Sequence, residues 1–163
     1  MAGIVWGDVE SFGVHYDMSH LRPAVHQVVT KSGMLSIEIT FGFHVFTDEK
    51  GNGKPIRHKM ERRYFCQNRY EGSKTLTERI LGAVDGDYVT AFIAGTSGQR
   101  YYHLNLHDDF ILMEIRKPSG TDGFLRLHVV SAYTLDQWGE VPRGKNLPFE
   151  FVLSQRAAGI NRL

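Results

Sequence analysis

Two short stretches concentrate the side chains able to do chemistry. "RHKMERRYF" (57–65) carries Arg57, His58, Arg62 and Arg63, with Arg69 soon after, and "LRLHVVSAYTLD" (125–136) carries Arg126, His128, Ser131 and Tyr133. An imidazole exchanges protons near neutral pH. A phenol or carboxylate can share that work, and a guanidinium stabilises negative charge as it develops. Such a set suits a phosphodiester whose own neighbouring hydroxyl is the nucleophile, as in RNA. One group removes the 2′-OH proton, one stabilises the phosphorane, and one protonates the leaving 5′-oxygen. This chemistry implies no metal and no other cofactor. A single histidine is most often structural or solvated, so everything turns on which residues folding brings onto one face.

The elements that must position them are legible in part. "GMLSIEITFGFHVFTD" alternates strictly, with Leu35, Ile37, Ile39, Phe41, Phe43 and Val45 on one side, and predicts one long half-buried strand. "RHKMERRYFCQNRYEG" is ambiguous between strand and helix. "SKTLTERILGAV" predicts a helix, with Thr75 and Glu78 at capping-box spacing and Leu76, Ile80 and Val84 on one face. "YVTAFIAG", "RYYHLNL", "FILMEIR" and "FLRLHVVSAYTL", separated by the turns "TSGQ", "HDD" and "KPSGTDG", predict an antiparallel meander. "FEFVLSQ" reads as a last strand. The expectation is therefore a single α+β domain over residues 1–163, an antiparallel sheet with one or two helices.

Simple hairpin closure predicts a register in which Tyr102, Glu114 and Arg126 stack across three strands, with Leu112 beside His128. Ile111, Met113, Ile115, Leu125, Leu127 and Val129 then form the core face, and Ser131 and Tyr133 sit where the strand leaves the sheet. A one-residue slip would exchange the faces. The bland alternative is an exposed sheet face whose Glu–Arg pair contributes ~0.2–1 kcal/mol.

Composition narrows the function classes. The 163 residues are 42% hydrophobic and 23% charged, ordinary for a soluble domain. No apolar run reaches the roughly 18 residues of a membrane span, and "MAGIVWGDVESFG" has no signal-peptide pattern. A single cysteine, Cys66, fits a reducing compartment, so the cytoplasm is expected. Beside Tyr64 and Phe65 it reads as a small packed hydrophobe rather than a nucleophile. No GxGxxG between strand and helix, GxxxxGK[ST], HExxH, CxxC or GxSxG occurs, and His15, His20 and His26 lack a close metal-ligand spacing. The net charge is +1, yet residues 54–79 carry eight Lys or Arg against three Glu, leaving the remainder at −4. That segment can attract a polyanion, and equally reads as a solvated loop and helix face.

The order of these motifs resembles the barnase–EndoU–colicin–RelE group of small RNase toxins over residues 55–135. The resemblance implies that His58, Arg62 and Arg63 match an early His/Arg cluster, and Ser131 and Tyr133 a late Ser/Thr-x-Tyr motif. On it, His58, Arg63, His128, Ser131 and Tyr133 are candidate catalytic residues. Arg57, Arg62, Arg69, Tyr102 and Arg126 are candidate substrate-binding residues, with RNA as partner. "YDMSHLRP", "FGFHVFT", "RYFCQNRYEGS" and "VVSAY" also resemble small proteins of phages, prophages and plasmids. That likeness fits a toxin with a cognate antitoxin. It fits equally a non-enzymatic protein that binds and blocks a host or defence component. A nucleic-acid-binding module without catalysis is the third reading, and the oligomeric state is left open.

Overall fold

The computed structural model describes residues 3–94, 98–106, 109–134 and 143–161. The expected turns around 95–97 and 107–108, His107 with them, and most of the loop before residue 143 lie outside the described residues. Among the described residues twelve strands run in chain order: β1 (Val9–Ser11), β2 (Val14–Tyr16), β3 (Ala24–Thr30), β4 (Gly33–Phe41), β5 (Thr47–Asp48), β6 (Pro55–His58), β7 (Glu61–Phe65), β8 (Tyr88–Ala94), β9 (Gln99–Leu106), β10 (Asp109–Arg116), β11 (Phe124–Thr134) and β12 (Lys145–Pro148). Helices α1 (Gln67–Ser73) and α2 (Leu76–Gly82) separate β7 from β8, and α3 (Phe149–Ala157) follows β12. The class is α+β, with three described helices rather than one or two.

The main sheet has seven strands in the order β12-β8-β9-β10-β11-β4-β3, and β5-β7-β6 form a smaller one. The expected meander β8 to β11 is present and antiparallel throughout. The sheet as a whole is mixed, because β4 joins it by pairing parallel to β11. Apolar residues at every second position of β4 and β11 turn inward: Leu35, Ile37, Ile39 and Phe41 beside Leu125, Leu127 and Val129. α2 and α3 supply Leu76, Ile80, Val152 and Leu153 to the same core. Each fully buried side chain of this kind contributes about 1.5–3 kcal/mol.

Several expectations need correcting. The long strand stops at Phe41, and Phe43–Val45 form a turn of 3-10 helix. Phe43 and Val45 remain buried, which is why alternation extends the strand too far. The ambiguous stretch divides into the β6–β7 hairpin and then α1. The α2 helix begins where expected, but the Thr75 hydroxyl makes no capping bond and instead accepts from Arg79 Nε at 3.1 Å. "FEFVLSQ" is helix α3, not a strand. Its buried residues, Phe149, Val152 and Leu153, have helical spacing, and Phe151 is 44% exposed.

The meander register also differs. Tyr102 pairs with Met113 and faces the core at 1% exposure, His128 pairs with Glu114, and Arg126 pairs with Arg116. Leu112 lies opposite Ser131, not His128. Met113 pairs with Val129 and Leu112 with Ser131, so Val130 is the extra residue of a β-bulge. The expected core face holds: Ile111, Met113, Ile115, Leu125, Leu127 and Val129 are all buried. Among the described residues no helix is long and apolar enough to cross a membrane.

The helical assignment of α3 has a direct test in urea unfolding. Leu153→Ala is expected to cost about 2–5 kcal/mol, whereas Phe151→Ser should stay within ~0.5 kcal/mol. Comparable losses at both positions would restore the alternating strand.

Candidate functional site

The parallel pairing of β4 with β11 sets two polar rows on the outer face of the main sheet. Thr40, His128 and Glu114 are lateral neighbours on β4, β11 and β10, and Glu38, Arg126 and Arg116 form the next row. Thr40 Oγ1 lies 2.7 Å from His128 Nδ1, and Arg126 Nε donates to Glu38 Oε1 at 2.6 Å. Arg116 approaches Glu114 at 3.6 Å. These rows floor a cleft of about 290 Å³, near the small end for ligand sites. Gly3 and Ile4 wall it on one side and Lys59 reaches it from the β6–β7 turn. The lining carries three cations and one carboxylate.

His128 is half-buried. Burial lowers its pKa by disfavouring the imidazolium, while Glu114 pulls it back up and Arg116 pushes it further down. The ring fits because residue 42 is glycine: a Cβ there would come within 3.1 Å of His128 Nε2. The Gly42 amide also donates to the Val129 carbonyl at 2.8 Å, closing the parallel ladder where the chain turns away.

The other expected residues lie elsewhere. His58 turns from the cleft and packs edge-on to Trp6, 4.7 Å between ring centres. Arg63 is buried at 5% exposure and holds β5, donating from Nε to Thr47 Oγ1 at 2.9 Å and from Nη2 to the Thr47 carbonyl at 3.0 Å. Tyr102 offers no surface to a substrate. Arg57 and Arg62 are exposed partners across the β6–β7 hairpin.

Ser131 and Tyr133 have not left the sheet. The bulge at Val130 returns them to the outer face, beyond the His128 cleft, where Tyr133 stacks on Phe110 at 5.3 Å and under the Arg69 guanidinium at 4.3 Å. A smaller cleft of about 80 Å³ lies there, lined by Arg69, Arg79, Asp109 and Tyr133 among others. Its cations are committed to the fold. Arg69 donates to the carbonyls of His44 and Thr47, and Arg79 pairs with Asp109 and with the Gly72 carbonyl. Burial raises the Tyr133 phenol above its ordinary pKa, countered by a hydrogen bond from Ser131 and by Arg69. The cluster is a built joint between α1 and the sheet.

Cys66 stands at the entry to α1, half-buried, on a third cleft of about 430 Å³. Burial pushes its thiol up, which disfavours the nucleophilic thiolate. Among the described residues no group of three His, Cys, Asp or Glu is placed to hold a metal ion.

Thr40, Lys59, Glu114 and Arg116 join His128 and Arg126, although the sequence does not single them out as site residues. Alternation in β10 exposes Glu114 and Arg116 together, a usable signal. Thr40 comes from 88 residues away across a parallel pairing, for which no turn specifies the register.

The difference between Arg63 and Arg57 is measurable. Arg63→Met removes both bonds to Thr47 and is expected to destabilise by about 1.5–3 kcal/mol, while Arg57→Met should leave the thermal midpoint nearly unchanged. Equal midpoints for the two variants would contradict the structural role of Arg63.

A protein-family model, that of the YjaZ family, matches residues 8–157, and the chain belongs to this family. No curated protein and no solved structure matches it.

Proposed function

We propose that the outer-face cleft cleaves RNA without a metal, as the active site of a toxin-type endoribonuclease carried on a mobile element and acting in the cytoplasm. One observation carries the reading: a half-buried imidazole, a carboxylate and three cations converge on a single cleft. The motif order that resembles small RNase toxins supports the same chemistry. A cognate antitoxin is the protein partner that the reading calls for.

The geometry supports the following roles. Thr40 Oγ1, 2.7 Å from His128 Nδ1, is suited to accept an Nδ1–H, and in the proposed role His128 takes that tautomer, with its lone pair on Nε2. The lowered pKa keeps this nitrogen unprotonated at neutral pH, so it is suited to take the proton of the ribose 2′-OH. The 2′-oxygen then attacks the adjacent phosphorus. Arg116, Arg126 and Lys59 surround the site where the phosphorane develops its extra charge. The 5′-oxygen leaves with a proton from solvent at the cleft mouth, and a 2′,3′-cyclic phosphate remains. Glu114, beside His128 on β10, favours the imidazolium formed as the proton is taken.

His128→Ala is expected to reduce cleavage of an RNA ladder by about 10²–10⁴-fold with chelator present, with a stability loss of about 1–3 kcal/mol from the buried Thr40 hydroxyl left without its partner. The reactive form is the free base, and burial extends that form to lower pH. Wild-type cleavage should therefore survive mild acidification and fall only at a pH below the ordinary imidazole range. Loss of activity on raising the pH through neutrality would make His128 the acid instead. Wild-type protein that cuts no RNA, or a His128→Ala variant that cuts normally, would defeat the proposal.

A further inference from the structure

The β6–β7 hairpin has a feature that its own fold does not explain. Arg57 and Arg62 are directly opposed across it, and both are exposed. Like charges in that position destabilise a strand pair. Among the described residues no carboxylate approaches either within salt-bridge distance. Glu61, the hairpin's own acid, is turned to the other face by His44 at 2.7 Å and Arg63 at 3.6 Å. The face bearing Arg57 and Arg62 also carries Tyr64, with the Arg62 guanidinium 5.8 Å from its ring centre. At the two-residue turn, Lys59 holds φ at +54°, as the first residue of so tight a hairpin loop must. Lys59 lines the His128 cleft, while Met60 is left 97% exposed.

We infer that this hairpin is an arm that binds single-stranded RNA and leads it to the cleft. The inference rests on the cleft being the site of RNA cleavage, and adds the substrate class and the surface that delivers it. A polyanion between Arg57 and Arg62 turns their mutual repulsion into attraction. The planar ring of Tyr64 offers a stacking surface to an unpaired base, which a duplex does not present. Lys59 then continues the cationic track to Arg116 and Arg126. What favours RNA over an acidic protein is that these cations run on into the cleft through Lys59, since a ring beside cations suits either partner.

The test uses a 2′-O-methyl 12-mer, which cannot be cut, and follows its anisotropy with the full chain across a range of potassium chloride concentrations. Wild type is expected to bind with a steep salt dependence. The double variant Arg57→Gln/Arg62→Gln should bind at least tenfold more weakly. Its slope of log affinity against log salt should be shallower by about 1.4, near 0.7 for each phosphate no longer neutralised. Its melting temperature should equal or exceed that of wild type, since a like-charged pair has gone. Tyr64→Ala should weaken binding about five- to hundredfold, and Tyr64→Phe should restore it. An unchanged slope and affinity in the double variant, or no binding by wild type, would overturn the arm. So would displacement of the oligonucleotide by polyglutamate at equal charge concentration, which would point to an acidic protein partner. The two proposals fail separately. Binding through the arm without cleavage of ordinary RNA sinks only the cleavage reading, and cleavage with an unchanged salt slope sinks only the arm.

Discussion

The parallel pairing of β4 with β11 is the constraint on which the other features depend. Ile37, Ile39 and Phe41 must lie level with Leu125, Leu127 and Val129 if both strands are to bury their apolar sides in one core. A slip of one residue would turn Glu38 and Thr40 inward and expose the isoleucines, losing burial and stranding a carboxylate in an apolar interior. The polar rows on the opposite face are thus a consequence of the core. Thr40 stands beside His128, and Glu38 beside Arg126, because the buried side of each strand fixes what its other side presents.

Two local departures from regularity then shape that face. Gly42 ends the ladder with no side chain, so the imidazole of His128 has room and the chain can turn into the segment 43–45 that covers β11. The bulge at Val130 shifts the parity of β11, so Ser131 and Tyr133 share the outer face with His128 although each lies an odd number of positions from it. The polar groups beyond the bulge are spent on packing α1 against the sheet. Those before it line an open cleft. The Arg126–Glu38 pair is half-buried, and its desolvation offsets much of its attraction. Its main effect is to hold a guanidinium in one orientation.

Alternation and turn chemistry, both local, are enough for most of the fold. The β4 strand, the meander, the α2 helix and the inward set Ile111, Met113, Ile115, Leu125, Leu127 and Val129 all follow from periods of two or 3.6. "FEFVLSQ" misleads because Phe149, Phe151 and Leu153 satisfy period two while Phe149, Val152 and Leu153 satisfy the helical period; packing against the sheet decides between them. Tyr102 falls on the wrong face in that reading because "HDD" is taken whole as the turn, whereas Asp109 already pairs with Leu106, a shift of one residue that exchanges the faces.

For the site, the sequence by itself determined that Arg126 and His128 share one face of a strand and that Leu125, Leu127 and Val129 share the other, since neighbouring side chains in a strand point opposite ways. It also marked residues 54–79 as basic. Only the tertiary structure decided which of those cations are surface and which are fold: Arg57 and Arg62 face out, while Arg63 lies under β5. It alone brought Thr40 and Lys59 to His128. The physical reason is that parallel neighbours and turn tips are placed by burial summed over the whole core, a quantity that no short window of residues contains.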